Sequence, residues 1–150
     1  MLLYGVLPMN MMDMLLALIA VVFFTTIALI YNQAMWHQAD NLYDAALVVQ
    51  SSQICHMVLD EVDAKLFSKQ LAFANVITNY NTTVNRSYPH LGETFTITTV
   101  AVDCDSLGNN LTTPVTNNIY KRVQVTVSGP AALRRPVSLR RIYTKTNLNI

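Results

Sequence analysis

The sequence predicts an α+β protein in which one long N-terminal helix packs on a small antiparallel β-sheet. Three observations lead to this prediction. No Gly or Pro occurs between Pro8 and Pro89, so a helix can continue without interruption over much of that range. The first part of the range is strongly apolar, and the next part has an amphipathic pattern. The C-terminal half is instead rich in β-branched residues that alternate with polar ones.

The helix is predicted to begin with an apolar segment over residues 9–31. The stretch Met14–Tyr31 contains eighteen consecutive residues without a charge, and its only polar residues are Thr25 and Thr26. At about 1.5 Å per residue this stretch covers most of a bilayer core about 30 Å thick, and the apolar residues before Asp13 supply the remainder. We therefore predict a helix half that lies in a membrane or in the apolar core of a filament.

A cleaved secretory signal peptide is the first competing interpretation of this segment. Such a peptide has a basic start, an apolar core of about 7 to 15 residues and a small-x-small cleavage site. No Lys or Arg precedes Lys65, the apolar core is longer, and residues 32–36 make a poor cleavage site. A segment that stays attached to the chain is therefore favoured.

Residues 32–75 are predicted to continue the helix with an amphipathic pattern. Apolar residues recur there at intervals of three and four, namely Met35, Ala39, Leu42, Ala46, Val49, Ile54, Val58, Val62 and Leu66. A stripe at this spacing buries itself against another layer. Because the stripe contains small residues and changes phase near Ser51, we predict packing on a sheet rather than in a long two-stranded coiled coil.

Residues 76–150 are predicted to form the antiparallel β-sheet domain. Three strands are predicted, at residues 93–102, 120–128 and 137–144, with a loop at 79–83 and a long polar loop at 103–118. In the second strand, valines alternate with polar residues, as in a strand with one buried face. In the third strand, Arg140 and Arg141 interrupt the alternation, which indicates a β-bulge.

Charge is separated along the chain. The first 64 residues contain six acids and no Lys or Arg, which gives a net charge of −6. The remaining residues contain ten bases and three acids, which gives +7. One interpretation is a solvated helix face joined to a basic domain. The other is that acidic and basic surfaces of neighbouring copies meet in an assembly.

Two cysteines, Cys55 and Cys104, lie 49 residues apart in different predicted segments. If the C-terminal part is extracytoplasmic, a single disulfide between them would tie the helix to the sheet domain. Both the bonded and the free form stay open at this stage.

No pattern in the sequence indicates an enzyme, a metal site or a cofactor. His37 with Asp40 and His56 with Asp60 have helical spacing, but neither pair has an identifiable third group, so we expect ordinary surface pairs. The chain has no Gly-x-Ser-x-Gly sequence, no phosphate-binding Gly loop and no two-cysteine metal motif. The segment 103–110 resembles a calcium loop without its terminal Glu, and we predict a plain Asn/Asp turn.

Four arginines form a basic cluster in the last strand region, namely Arg134, Arg135, Arg140 and Arg141. Contact with an anionic surface or with DNA would explain the cluster. Edge-strand charges that block unwanted strand pairing explain it equally well.

The order of these elements, and the residues Met9–Ala20, resemble the type IV pilins and the pilin-like subunits of type II secretion. The mature subunits of that family begin with an apolar residue, a small polar residue, two apolar residues and an acid, followed by an apolar run. On this pattern Met9 matches the first residue of the mature subunit, Asp13 matches the acid, and residues 1–8 match the leader. The chain departs from the pattern where Pro8 stands in place of Gly and where Asp13 replaces Glu.

The resemblance implies a structural subunit with no catalytic site, metal or cofactor. Such a subunit is inserted in the inner membrane and then polymerised by a pilus assembly machinery into an extracellular filament. Asp13 would contact the free amine of Met9 in the same or an adjacent subunit. The roles of fibre subunit, adhesive tip subunit and secretion pseudopilin all stay open. The alternative is a signal-anchored bitopic protein with an extracytoplasmic binding or sensory domain.

Overall fold

The structure, a computed structural model, describes residues 10–88, 93–111, 118–131 and 133–145. In chain order the elements are α1 (Met11–Phe67), a 3-10 turn (Phe73–Asn75), α2 (Val76–Asn79), β1 (Thr82–Tyr88), β2 (Glu93–Asp103), β3 (Tyr120–Ser128) and β4 (Val137–Thr144). One long N-terminal helix and a four-stranded antiparallel sheet confirm the predicted α+β class. The chain divides into two compact units, Met1–Leu42 and Tyr43–Ile150, and α1 contributes to both.

The described part of the first unit is the N-terminal length of α1, and all of its residues are exposed. The hydroxyls of Thr25 and Thr26 donate to the carbonyl oxygens of Val21 and Val22, at 2.9 and 2.7 Å. Both polar side chains of the apolar run are therefore satisfied within the helix, as an apolar environment requires.

The sheet of the second unit has the strand order β1-β2-β3-β4, with every neighbouring pair antiparallel. In β3, Val123, Val125 and Val127 are buried, and the residues between them are half-buried. This confirms the predicted alternation. The buried face of the sheet is the face that α1 covers.

The C-terminal length of α1, from Tyr43 onwards, packs on this face. Its buried residues are Leu47, Ser51, Ile54, Cys55, Val58, Leu59, Val62 and Leu66. All except Ser51 form one core with Phe95 and Ile97 of β2 and with the three buried valines of β3. Each fully buried side chain of this kind stabilises the fold by about 1.5 to 3 kcal/mol. The second half of the predicted stripe is buried, whereas its first half is exposed, namely Met35, Ala39, Leu42, Ala46 and Val49. Leu47 and Ser51 face the sheet instead.

The continuous helix ends at Phe67, eight residues before the predicted end at residue 75. Lys69 has a φ of 59°, in the left-handed region, and this turns the chain out of the helical path. The N–H groups of Lys69 and Leu71 then donate to the last helical carbonyls, at 3.2 and 3.0 Å. The change of direction brings Leu71 and Phe73 into the core, which a straight helix would not do.

The strand β1 is not among the three predicted strands, and its first two residues, Thr82 and Thr83, fall in the loop predicted at 79–83. Its side chains are exposed along nearly the whole strand, so no burial pattern marks it in the sequence. Backbone pairing with β2 defines it instead, from Thr82 opposite Thr99 to Tyr88 opposite Glu93. Asn81 fixes the start of this pairing, because its side-chain amide bonds both backbone groups of Ala101.

The predicted bulge at Arg140 and Arg141 is wrong. The pairing of β3 with β4 is one to one from Tyr120 opposite Thr144 to Val127 opposite Val137. Arg141 keeps the alternation of inward and outward residues, because its charge is compensated on the helix side of the sheet. Arg140 points to the opposite, exposed face.

Candidate functional site

The largest candidate surface is the apolar length of α1 in the first unit. Every large apolar residue there is exposed, with no contribution to a core among the described residues. Apolar surface of this extent is unstable in water and indicates a membrane or protein partner. By length and composition, α1 is also the one described helix that is able to cross a membrane.

Asp13 is the acid in the first turn of α1. Its N–H donates to the carbonyl oxygen of Asn10 at 2.8 Å, which places the residue at the start of the helix. A carboxylate in the first turn interacts favourably with the helix dipole. Met9 and the predicted leader at residues 1–8 lie outside the described residues. The predicted contact between Asp13 and the amine of Met9 therefore stays a prediction.

The acidic and basic parts of the chain meet within one subunit. Arg141 of β4 donates to Asp60 at 3.0 Å and also to Asp63, and both acids lie on α1. More than four turns earlier on the same helix, the carboxylate of Asp44 accepts from the backbone N–H of Arg134 at 3.1 Å, a contact that does not involve the guanidinium group. Part of the charge separation along the sequence is thus compensated inside the fold, on the surface where helix and sheet meet.

The four predicted arginines therefore do not form one patch. Arg141 is occupied by the two helix acids, whereas Arg134, Arg135 and Arg140 are exposed. Arg140 lies on the face of the sheet that points away from α1. Of the predicted cluster, these three exposed side chains are the ones that an anionic surface is able to reach.

The disulfide that the sequence allowed between Cys55 and Cys104 is absent, and both thiols are free and buried. The thiol of Cys55 donates towards the carbonyl oxygen of Val125 at 3.7 Å, whereas the N–H of Cys104 donates to Tyr120 at 3.3 Å. Val125 and Tyr120 are five positions apart on β3, which is about 16 Å at 3.3 Å per residue. A disulfide needs Cα atoms within about 7 Å, so the register of the strands keeps the thiols apart.

The loop after β2 is closed by a turn around Asp105, as predicted. One carboxylate oxygen accepts from the N–H groups of Leu107 and Asn109, at 2.9 and 2.8 Å, and the other accepts from the side-chain amide of Asn109 at 3.0 Å. The side-chain bond from Asn109, followed by the backbone bonds, lowers the pKa of Asp105. Residues 112–117 of the predicted loop lie outside the described residues.

Sequence reasoning missed a buried cation, Lys121. Its ammonium group lies 3.2 Å from Asp103 and 5.5 Å from the centre of the Phe73 ring. Asp103 lies opposite Lys121 in the register of β2 and β3, and the turn after α1 brings the ring of Phe73 to the same ammonium group. Elsewhere in the described residues, no group of three or more His, Cys, Asp or Glu side chains has the arrangement of a metal site.

A second feature that the sequence did not indicate is a groove beside β1. It lies in the second unit between Val58 and Lys65 of α1, Leu71 and Tyr80 of the following segment, and Val84 and Arg86 of β1. We call it the β1 groove. Its volume is about 490 Å³, within the range of small-molecule sites. The groove exists because the contacts of α1 are centred on β3 and β4, which leaves the inner face of β1 uncovered.

No protein-family model matches the sequence, and comparison with curated proteins and with solved structures gives no match either.

Proposed function

We propose that this chain is the structural subunit of an extracellular type IV pilus-like filament. The observation that carries the proposal is the division of one helix into two chemically different lengths. Up to Leu42, α1 is exposed, and as far as Tyr31 it is also apolar, whereas from Tyr43 it is half-buried under its own sheet. A subunit with this division can bury its apolar length among copies of the same helix while its sheet stays outside the bundle.

The proposed assembly begins from the inner membrane, where the apolar length spans the bilayer. There Asp13 costs about 2.5 to 3.5 kcal/mol if it lies at the centre, and less near an interface. When an assembly machinery moves subunits into a filament, the apolar helices bundle and exclude water. An unpaired carboxylate is costly in that environment, so its pairing with the Met9 amine selects the axial register of neighbouring subunits.

Electron microscopy of material sheared from the cell surface tests polymerisation directly. The proposal expects thin filaments that contain this chain. Mass spectrometry of the native protein then tests processing, and the proposal expects an N-terminus at Met9. Shearing that releases no filament, together with all of the protein in the membrane fraction, would contradict it.

The alternative is a bitopic signal-anchored protein with an extracytoplasmic binding or sensory domain. The β1 groove favours it, because a filament subunit needs no cavity of that size. This alternative expects an intact Met1 terminus and a monomer or dimer in the membrane. Neither proposal assigns catalysis or a cofactor to the chain.

Three exposed arginines supply a further candidate contact for the assembled filament. Arg134, Arg135 and Arg140 would place positive charge outside the helix bundle, where an anionic surface or DNA is able to approach. The binding of DNA to purified filaments should then weaken with added salt, because such contacts release counterions.

A further inference from the structure

The β1 groove combines an apolar floor with a cation that lacks a partner. Ile97 of β2 and Val58 of α1 are buried at its base, whereas Val84 at its wall is 47 % exposed. An exposed Val on the inner face of this sheet is unusual, because the inner-face residues of β2 and β3 are buried beneath α1. The groove therefore leaves apolar surface uncovered at the place where a ligand would lie.

The charges at the rim favour an anion. Glu61 is the acid of the groove, and Lys65 donates to it at 2.5 Å, so these two charges compensate each other. Arg86 is exposed and has no ion pair within the described ranges. The groove consequently carries one positive charge without compensation, on a planar group that binds carboxylates through two parallel hydrogen bonds.

The wall adjoining the helix supplies a further polar group. Tyr80 is buried, and its hydroxyl has no hydrogen-bond partner within the part of the chain described. Its ring carries the Lys65 ammonium at 5.7 Å from the ring centre. Buried hydroxyl groups normally have a partner. Among the described residues, the hydroxyl of Tyr80 is thus an unpaired polar group next to the groove, whereas Arg86 is the exposed donor at its rim.

From these observations we infer that the β1 groove binds a small free organic acid, with its carboxylate on Arg86 and its apolar body on Val84 and Leu71. The volume of the groove suits a molecule of this size. This inference does not depend on the proposed filament, since every residue that carries it lies in the second unit.

The test uses the full chain in uncharged detergent micelles with isotope-labelled Val and Leu methyl groups. The probe is 4-phenylbutyrate, and its matched control is the neutral amide of the same shape. We expect saturable shifts of the Val84 and Leu71 methyl signals with the acid, and binding of the amide that is at least tenfold weaker. Equal binding of acid and amide, or no saturable binding of the acid at millimolar concentration, would overturn the inference.

Two arginine variants provide the structural control. Arg86→Gln removes the cation of the groove, and we expect binding of the acid to weaken about tenfold. Arg140→Gln removes an exposed arginine from the opposite face of the sheet, and we expect unchanged binding. Equal effects of the two substitutions would overturn the inference.

A third arm distinguishes a free acid from an acidic side chain of another protein. The probe is an acetylated and amidated five-residue peptide with one central Glu between valines. Tighter binding of this peptide than of 4-phenylbutyrate, with the same dependence on Arg86, would replace the free acid by a peptide as the occupant. Weaker binding of the peptide supports the free acid.

Discussion

Arg141 of β4 donates to Asp63 of α1, across 78 residues of sequence, and the pair holds the helix against the edge of the sheet. Both side chains are about two-thirds buried. The pair is therefore screened less than a surface ion pair. Asp60, one turn before Asp63, accepts from the same guanidinium group but is mostly exposed.

Replacing Arg141 by Gln should destabilise the second unit. The substitution leaves Asp63 partly buried without its cation, which costs about 1 to 3 kcal/mol. Thermal unfolding followed by circular dichroism measures this as a lower Tm. The matched control is Arg140→Gln, which removes an exposed side chain and should stay within about 0.5 kcal/mol of the parent. An equal loss of stability in both variants would show that the ion pair contributes nothing specific.

Replacing Asp13 by Ala should abolish filaments but not membrane insertion. The apolar run becomes longer, so insertion is retained, whereas the register contact with the Met9 amine is lost. Membrane fractionation and microscopy of sheared material measure the two properties separately. Asp40→Ala is the matched control, because it removes an exposed acid of the same helix beyond the apolar run. Normal filaments from the Asp13 variant would refute the assigned role of this acid.

Replacing Leu by Ala should lower the stability of the fold in one length of α1 and leave it unchanged in the other. Leu66 is 1 % exposed and Leu42 is 73 % exposed. Leu66→Ala removes core volume and should cost about 2 to 5 kcal/mol of unfolding free energy. Leu42→Ala should leave that free energy unchanged within about 0.5 kcal/mol. Denaturant unfolding of both variants, followed by a signal from the sheet, measures the difference.

Cys55 and Cys104 should remain free thiols even in an oxidising medium. Burial raises the pKa of both thiols, so few thiolates are present near neutral pH, and alkylation of the native protein should be slow. After unfolding, both thiols should react. Mass spectrometry before and after unfolding counts the modified cysteines. A native mass lower by two hydrogens, with no thiol after unfolding, would establish the disulfide instead.

The turn at Asp105 should depend on pH. Its carboxylate has a pKa below the ordinary value of 3.8, because it accepts from Asn109 and from neighbouring N–H groups. The stabilising contribution is therefore present above that ordinary value and is lost as the pH falls through the lowered pKa. The protection factors of the Leu107 and Asn109 amides, which correct for the intrinsic exchange rate at each pH, should fall in this acid range. Asp105→Ala should give low protection factors at every pH, with Asp40→Ala as the control.

Local patterns in the sequence determined the type of most elements. The absence of Gly and Pro and the apolar spacing predicted α1, because helical periodicity is visible among residues three and four positions apart. The alternation of apolar and polar residues likewise predicted β3. The tendency of Asp and Asn side chains to hydrogen-bond the nearby backbone predicted the turn at Asp105. These predictions held because each depends on contacts within a few residues.

Tertiary structure decided the features that depend on pairing between distant segments. The end of α1 at Phe67 follows from the burial of Leu71 and Phe73 beyond a turn, and β1 exists through its pairing with β2. The register of the strands places Cys55 and Cys104 too far apart to form a disulfide. Charge compensation of Arg141, and the groove beside Arg86, likewise arise only where helix and sheet meet. No local pattern encodes such contacts, because their partners are selected by the packing of the whole core.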